Sequence, residues 1–169
     1  MTKKYIKDYD LIDNVPVYKG ILYKINISQD ELKKIKLFIL LNTFVSALLF
    51  FAAGFTGNNA TRVPYVGVPY MLLIIPVVYA CMDACKFITP RERMERVHYE
   101  GSFLHMHSWA VAKMLFSAAA AVGDIIYLAI TQSPSLNEYL FLPLVLLLFF
   151  SSYIFYKKIR IVKSNISHE

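Results

Sequence analysis

Tyr79 to Phe87 reads YACMDACKF, an aspartate between two cysteines at the end of a long apolar run. Thiolates and carboxylates ligate metals, and cysteine pairs form disulfides, so the spacing decides which chemistry is open. Cys81 and Cys85 stand one helical turn apart on one face, where the Cα–Cβ directions disfavour a disulfide within a regular helix. A zinc site needs three or four ligands, and the nearest candidates are His98, His105 and His107. His105 and His107 project from different faces of a helix, while His98 and His105 share a face two turns apart, too far to hold one ion together. These histidines and cysteines support one reading, a membrane enzyme. It lacks a local nucleophile signature, a glycine-rich phosphate loop, a dinucleotide fingerprint and an H-E-x-x-H pair. The cysteines therefore read as packing residues, and no metal, cofactor or catalytic set is expected.

Charges inside apolar segments are stronger signals, because an ion near mid-bilayer is costly enough to require a partner or a polar cavity. Asp83, Lys113 and Asp124 qualify. On a helix, Lys113, Ser117, Ala120, Asp124 and Tyr127 fall on one narrow stripe, a polar seam that should face protein rather than lipid. Lys113 lies about 6 Å into its apolar block at 1.5 Å per residue. It is near enough to the end to snorkel, and Asp83 on the preceding antiparallel span is its expected partner. Asp124 is placed deeper. It must find Asn42, Thr43, Ser46, a tyrosine or water, or else bind a proton.

The elements that must position these residues follow from hydropathy. Of 169 residues, 57% are hydrophobic, and the mean hydropathy is +0.46, above ordinary water-soluble composition. Four apolar blocks, Ile35 to Phe55, Val66 to Cys85, Trp109 to Ile130 and Tyr139 to Tyr156, each approach the roughly 20 residues that cross hydrocarbon as a helix. The expected fold is all-α, a four-helix transmembrane bundle. Residues 1–28 form an N-terminal segment, 29–157 the membrane domain and 158–169 a basic tail. The first 34 residues are polar, so a cleavable signal peptide is not expected.

Of the 18 Lys and Arg, eight lie at or before Lys36, four in Lys86 to Arg96 and four in Lys157 to Lys163, against Arg62 in the first connection. By the positive-inside rule both termini and the middle connection are cytoplasmic, in a plasma-membrane protein. The net charge of +6 then reads as topology and contact with anionic headgroups, not nucleic-acid binding. Arg91, Arg93, Arg96, Lys157, Lys158 and Arg160 are the candidate headgroup or partner contacts.

Ser28, Thr89 and Ser135 each precede a glutamate by three residues, the signature of a helix start. They predict a first helix from Gln29 and a cytoplasmic amphipathic helix from Pro90 between spans 2 and 3, with a bend at Gly101-Ser102. Val15 to Ile25 is rich in β-formers around Gly20, either a short hairpin or a plain extended segment. Pro76 leaves the carbonyl of Leu72 without its donor, predicting a kink in span 2. Small residues such as Ser117/Ala121 and Ala119/Gly123 favour a central span 3, and the uncharged Leu and Phe run from Leu140 to Phe150 favours a lipid-facing span 4.

The leading functional expectation is a non-enzymatic accessory or assembly subunit of a membrane complex, acting through helix contacts and its basic face. The alternative is a small homo-oligomeric transporter or channel, using the seam as an ion or proton site. Topology is testable by cysteine accessibility. A membrane-impermeant label should react in intact cells with a cysteine placed at Asn58 and not with one at Ser164. The reverse pattern would invert the orientation.

Overall fold

The structure, a computed structural model, describes residues 9–12, 15–20, 22–25, 27–88, 93–95, 104–131 and 134–168. In chain order these form β1 (Tyr9–Ile12), β2 (Val15–Tyr18), β3 (Leu22–Ile25), α1 (Gln29–Phe55), a 3-10 turn (Ala60–Arg62), α2 (Pro64–Leu72), α3 (Ile74–Ile88), β4 (Arg93–Glu95), α4 (His105–Ile130), α5 (Leu136–Ser164) and β5 (Ile166–His168). Four stretches, with α2 and α3 taken as one, are long and apolar enough to cross a membrane.

Local chemistry accounts for the helix boundaries. The Ser28 hydroxyl accepts from the Glu31 backbone N–H at 3.3 Å and opens α1. The Glu138 carboxylate reaches back to the Ser135 N–H and opens α5. Between α2 and α3 the chain turns at Leu73, whose own N–H reaches Pro69 and Tyr70 carbonyls at 3.2 and 3.1 Å. Pro76, four residues after Leu72, has no N–H to give its carbonyl, so the regular ladder stops there. The Thr89 signature lies outside the described residues, as do the Gly101-Ser102 bend, Arg91, Arg96 and His98.

The spans pack as a ring in which α1 touches α3 and α5, and α4 touches α2, α3 and α5. Gly123 makes the α2 contact close: a Cβ there would stand 2.7 Å from the Tyr65 carbonyl oxygen. Leu140, Leu146, Leu147 and Phe150 of the fourth span are exposed, as its composition predicts, but the helix also carries a buried stripe. Phe141, Val145, Leu148, Ser152, Phe155, Ile159 and Val162 are buried, an alternating four-and-three spacing that is the seam of helices packing side by side. A four-member ring needs such a stripe on every helix, and an all-apolar run conceals it.

Two small sheets gather at one end. β1 and β2 form a hairpin in the register Tyr9↔Tyr18 to Ile12↔Val15, and β3 is the middle strand of the order β4-β3-β5, antiparallel to both neighbours. The strands on either side of Gly20 therefore exist but do not pair with each other. A bond of 2.6 Å from the Tyr9 hydroxyl to Glu95 Oε2 ties the hairpin to the other sheet. Arg93–Glu95 corrects the helix expected from Pro90, because these residues are extended. Helix propensity is worth only tenths of a kcal/mol per residue, whereas an uncovered edge of β3 would leave a row of unpaired backbone groups.

This sheet fixes the order of directions. The start of α1, the end of α3 and the end of α5 meet at it, while Glu138 at the start of α5 bonds Asn59 of the first connection and Tyr127 near the end of α4. Neighbouring spans thus run antiparallel, and both described chain ends lie on one side. Two apolar clusters fill the interior. The one nearer the sheet contains Ile39, Met106 and Phe155, and the other contains Phe50, Tyr70, Leu73 and Phe141.

Gly123→Val should displace α2 and cost about 1–3 kcal/mol, the usual range for overpacking. Ala119→Val on the exposed face of the same helix should be near neutral. Thermal unfolding of the detergent-solubilised protein compares them, and equal midpoints would refute the close approach.

Candidate functional site

Between the two apolar clusters lies a layer of polar side chains. Thr43 and Ser46 of α1, Lys113 and Ser117 of α4 and Ser152 of α5 are all buried at this level. Asn42 donates to the Ser151 carbonyl and hydroxyl at 3.2 and 3.0 Å, and the Ser46 and Ser151 hydroxyls are 3.2 Å apart. Hydroxyls elsewhere in the layer turn back on their own helices. Ser117 donates to the Lys113 carbonyl at 2.6 Å and Ser152 to the Leu148 carbonyl at 2.8 Å. Such back-bonding satisfies a serine where no water is at hand.

Lys113 is the exception. It is fully buried, and its Nζ has no hydrogen-bond partner among the described residues. The amine sits 5.0 Å from the centroid of the Phe155 ring, a cation–π contact that is a weak substitute for a counter-ion. The Thr43 hydroxyl and the Asn42 carbonyl oxygen in the same layer are likewise unpaired.

The expected Asp83 and Lys113 pair does not form. Asp83 Oδ1 takes Lys86 at 3.3 Å, one turn along its own helix, and Oδ2 is left without a partner. A lysine at i+3 reaches the carboxylate without crossing the bundle, and Lys113 is turned toward α5. Asn42 and Ser46 are also not partners of Asp124. They are level with Ser151, whereas Asp124 is one turn from Tyr127, which is level with Glu138. Ser151 lies thirteen residues beyond Glu138, roughly 20 Å of helix, which removes Asn42 from reach of Asp124. α4 begins at His105, four residues before the apolar block, so along the helix Lys113 is about 12 Å from its start and Asp124 about 9 Å from its end.

Both Asp124 carboxylate oxygens are buried and unpaired, with the Glu138 carboxylate within electrostatic reach. Glu138 is the residue that sequence reading assigned only to a cap. It accepts from Asn59 Nδ2 at 3.2 Å, from the Tyr127 hydroxyl at 3.2 Å and from the Ser135 N–H, joining three segments. Its place in the first turn of α5 was the available signal. Tyr127 thus remains on the seam through Glu138, and the seam residues Lys113, Ser117 and Asp124 all face protein.

The remaining candidates do not converge. His105 is exposed and the His107 ring lies 4.8 Å from that of Tyr156. Cys81 is half-buried and Cys85 exposed, both as free thiols. Trp109 stacks on Tyr79 at 4.6 Å, with its Nε1 unpaired. No group of three His, Cys, Asp or Glu side chains able to hold a metal occurs among the described residues. Near the sheet end Lys157 and Arg160 are exposed and Lys158 half-buried, and the Lys157 amine lies over the Tyr153 ring at 4.8 Å. For Arg93 the structure gives only its place in β4.

No protein-family model, curated protein or solved structure matches the chain, so the chemistry of these residues carries the reading. Glu138→Ala strands three donors and should lower the thermal midpoint of the purified protein by several degrees. Glu138→Gln, still an acceptor through one oxygen, should lose less. An unchanged midpoint in the alanine variant would show that the three bonds do not hold that end together.

Proposed function

We propose that this chain is a non-enzymatic multi-pass membrane protein that handles a small ion or proton at the polar layer of its bundle, as a small transporter or channel. The observation that supports this is Lys113. A charge buried between apolar clusters without a hydrogen-bonding partner is costly to a fold. Inside a membrane bundle, such a group most often marks a path for ions or protons. The lysine offers two forms of that chemistry. Its ammonium can hold a small anion, with the Thr43 hydroxyl as a further donor, or the amine can take up and release a proton. Asp124, one turn from the Glu138 cluster, serves as the second polar station toward the other end.

The accessory-subunit reading draws on a different observation. Three segments distant in sequence form one sheet, and Lys157 and Arg160 are exposed beside it. In the cytoplasmic orientation argued from the basic residues, that end would meet anionic headgroups or a membrane-protein partner.

Liposome flux separates the readings. Lys113→Met replaces a buried ion with an apolar chain of similar length, so folding should be retained, while chloride or proton flux should fall to the level of empty liposomes. Lys113→Arg should retain part of an anion flux and lose a proton flux, because arginine keeps its charge. Parent-like flux in Lys113→Met would overturn the transport reading, and absence of flux in the parent would leave the accessory reading in its place.

A further inference from the structure

At the end opposite the sheet, α1, the 3-10 turn and α2 line a groove of about 450 Å³. Its walls are apolar, formed largely by Phe51, Phe55, Tyr70 and Met71, and its one charged lining residue is Arg62. Two glycines shape it. A Cβ at Gly54 would stand 2.8 Å from the Tyr70 hydroxyl, and one at Gly67 would run into the Thr61 carbonyl. The Tyr70 hydroxyl is already committed, donating to the Phe50 carbonyl at 2.5 Å, so the ring presents carbon to the groove. Phe51, Phe55 and Met71 are exposed on the outer side of the bundle.

Arg62 is also exposed. Among the described residues ion pairs join Lys33 to Asp30 and Lys86 to Asp83, and neither takes this guanidinium. It stands at the last residue of the 3-10 turn, two positions before α2, whose N-terminus adds partial positive charge at the same rim. A cation at the mouth and an apolar wall running a little over one helical turn along the span, roughly 7 Å, match an amphiphile with an anionic head and a hydrocarbon tail. The volume is in the usual range for a ligand site, about 300–1,000 Å³. Guanidinium groups suit phosphate because their planar fork can bond two of its oxygens at once.

We infer that this groove is a binding site for one anionic phospholipid, with the headgroup phosphate on Arg62 and an acyl chain against Phe51, Phe55 and Met71. The site goes beyond the ion-handling layer and does not depend on it. A bound lipid would link the first connection to α1 and α2 at the end where Glu138 already holds Asn59.

Native mass spectrometry of the full-length protein in detergent provides the test, with phosphatidylglycerol or phosphatidylcholine of identical chains titrated in. The parent should retain one phosphatidylglycerol per chain, about tenfold tighter than phosphatidylcholine, which carries the same phosphate but whose quaternary ammonium offsets its charge beside Arg62. Arg62→Gln should reduce phosphatidylglycerol to the phosphatidylcholine level, and Arg160→Gln at the other end should leave it unchanged. Met71→Trp, which fills the groove and leaves the guanidinium intact, should weaken both lipids. Parent-like retention in Arg62→Gln, equal retention of the two lipids by the parent, or an equal loss in Arg160→Gln would overturn the assignment.

Discussion

Polar groups taken out of water are costly unless bonded within the protein, and in this bundle that constraint bears on an internal layer between two apolar clusters. Above and below it the helices meet through carbon: Ile39, Met106 and Phe155 on one side, Phe50, Leu73 and Phe141 on the other. In the layer, Asn42 and Ser46 share Ser151 across the α1 and α5 interface. A one-residue slip of either helix would break these bonds, so the layer helps fix their register. Lys113 stands at the same depth, without such a bond, and the proposed ion handling rests on that difference.

The two ends hold the layer in place by different means. At one end, strands from before α1, between α3 and α4, and after α5 share backbone hydrogen bonds. At the other, the Glu138 carboxylate collects an amide, a phenol and a backbone N–H. Each device joins segments far apart in sequence, so relative sliding of the spans would have to break several bonds together. The turn at Leu73 allows α2 to lean on Gly123 while α3 continues toward the sheet.

Position within the bundle separates the two charges of the seam. Lys113 lies between apolar clusters with the Cys81 thiol within electrostatic reach but no hydrogen-bond partner among the described residues, so its ammonium must be tolerated by Phe155 or compensated by something it binds. Asp124 is nearer an end, its two oxygens also without a hydrogen-bond partner and with the like-charged Glu138 close by. The ion-handling proposal therefore rests on the lysine, although the aspartate is the more conspicuous residue when depth is counted from hydropathy alone.

The spans, the cap at Ser135 and the turn before Pro76 were legible in the sequence, because each is set by groups within a few residues of one another: apolar runs, a glutamate three residues past a serine, a missing N–H. The inward direction of the seam was legible for the same reason, since helical periodicity puts Lys113, Ser117 and Asp124 on one face. What the sequence did not determine is which side chain meets which. Asp83 chose Lys86, Asn42 chose Ser151, Glu138 became a junction, and residues 93–95 became a strand. Those outcomes depend on the relative heights of neighbouring helices and on the free edge of β3. Heights and edges arise only when distant segments pack.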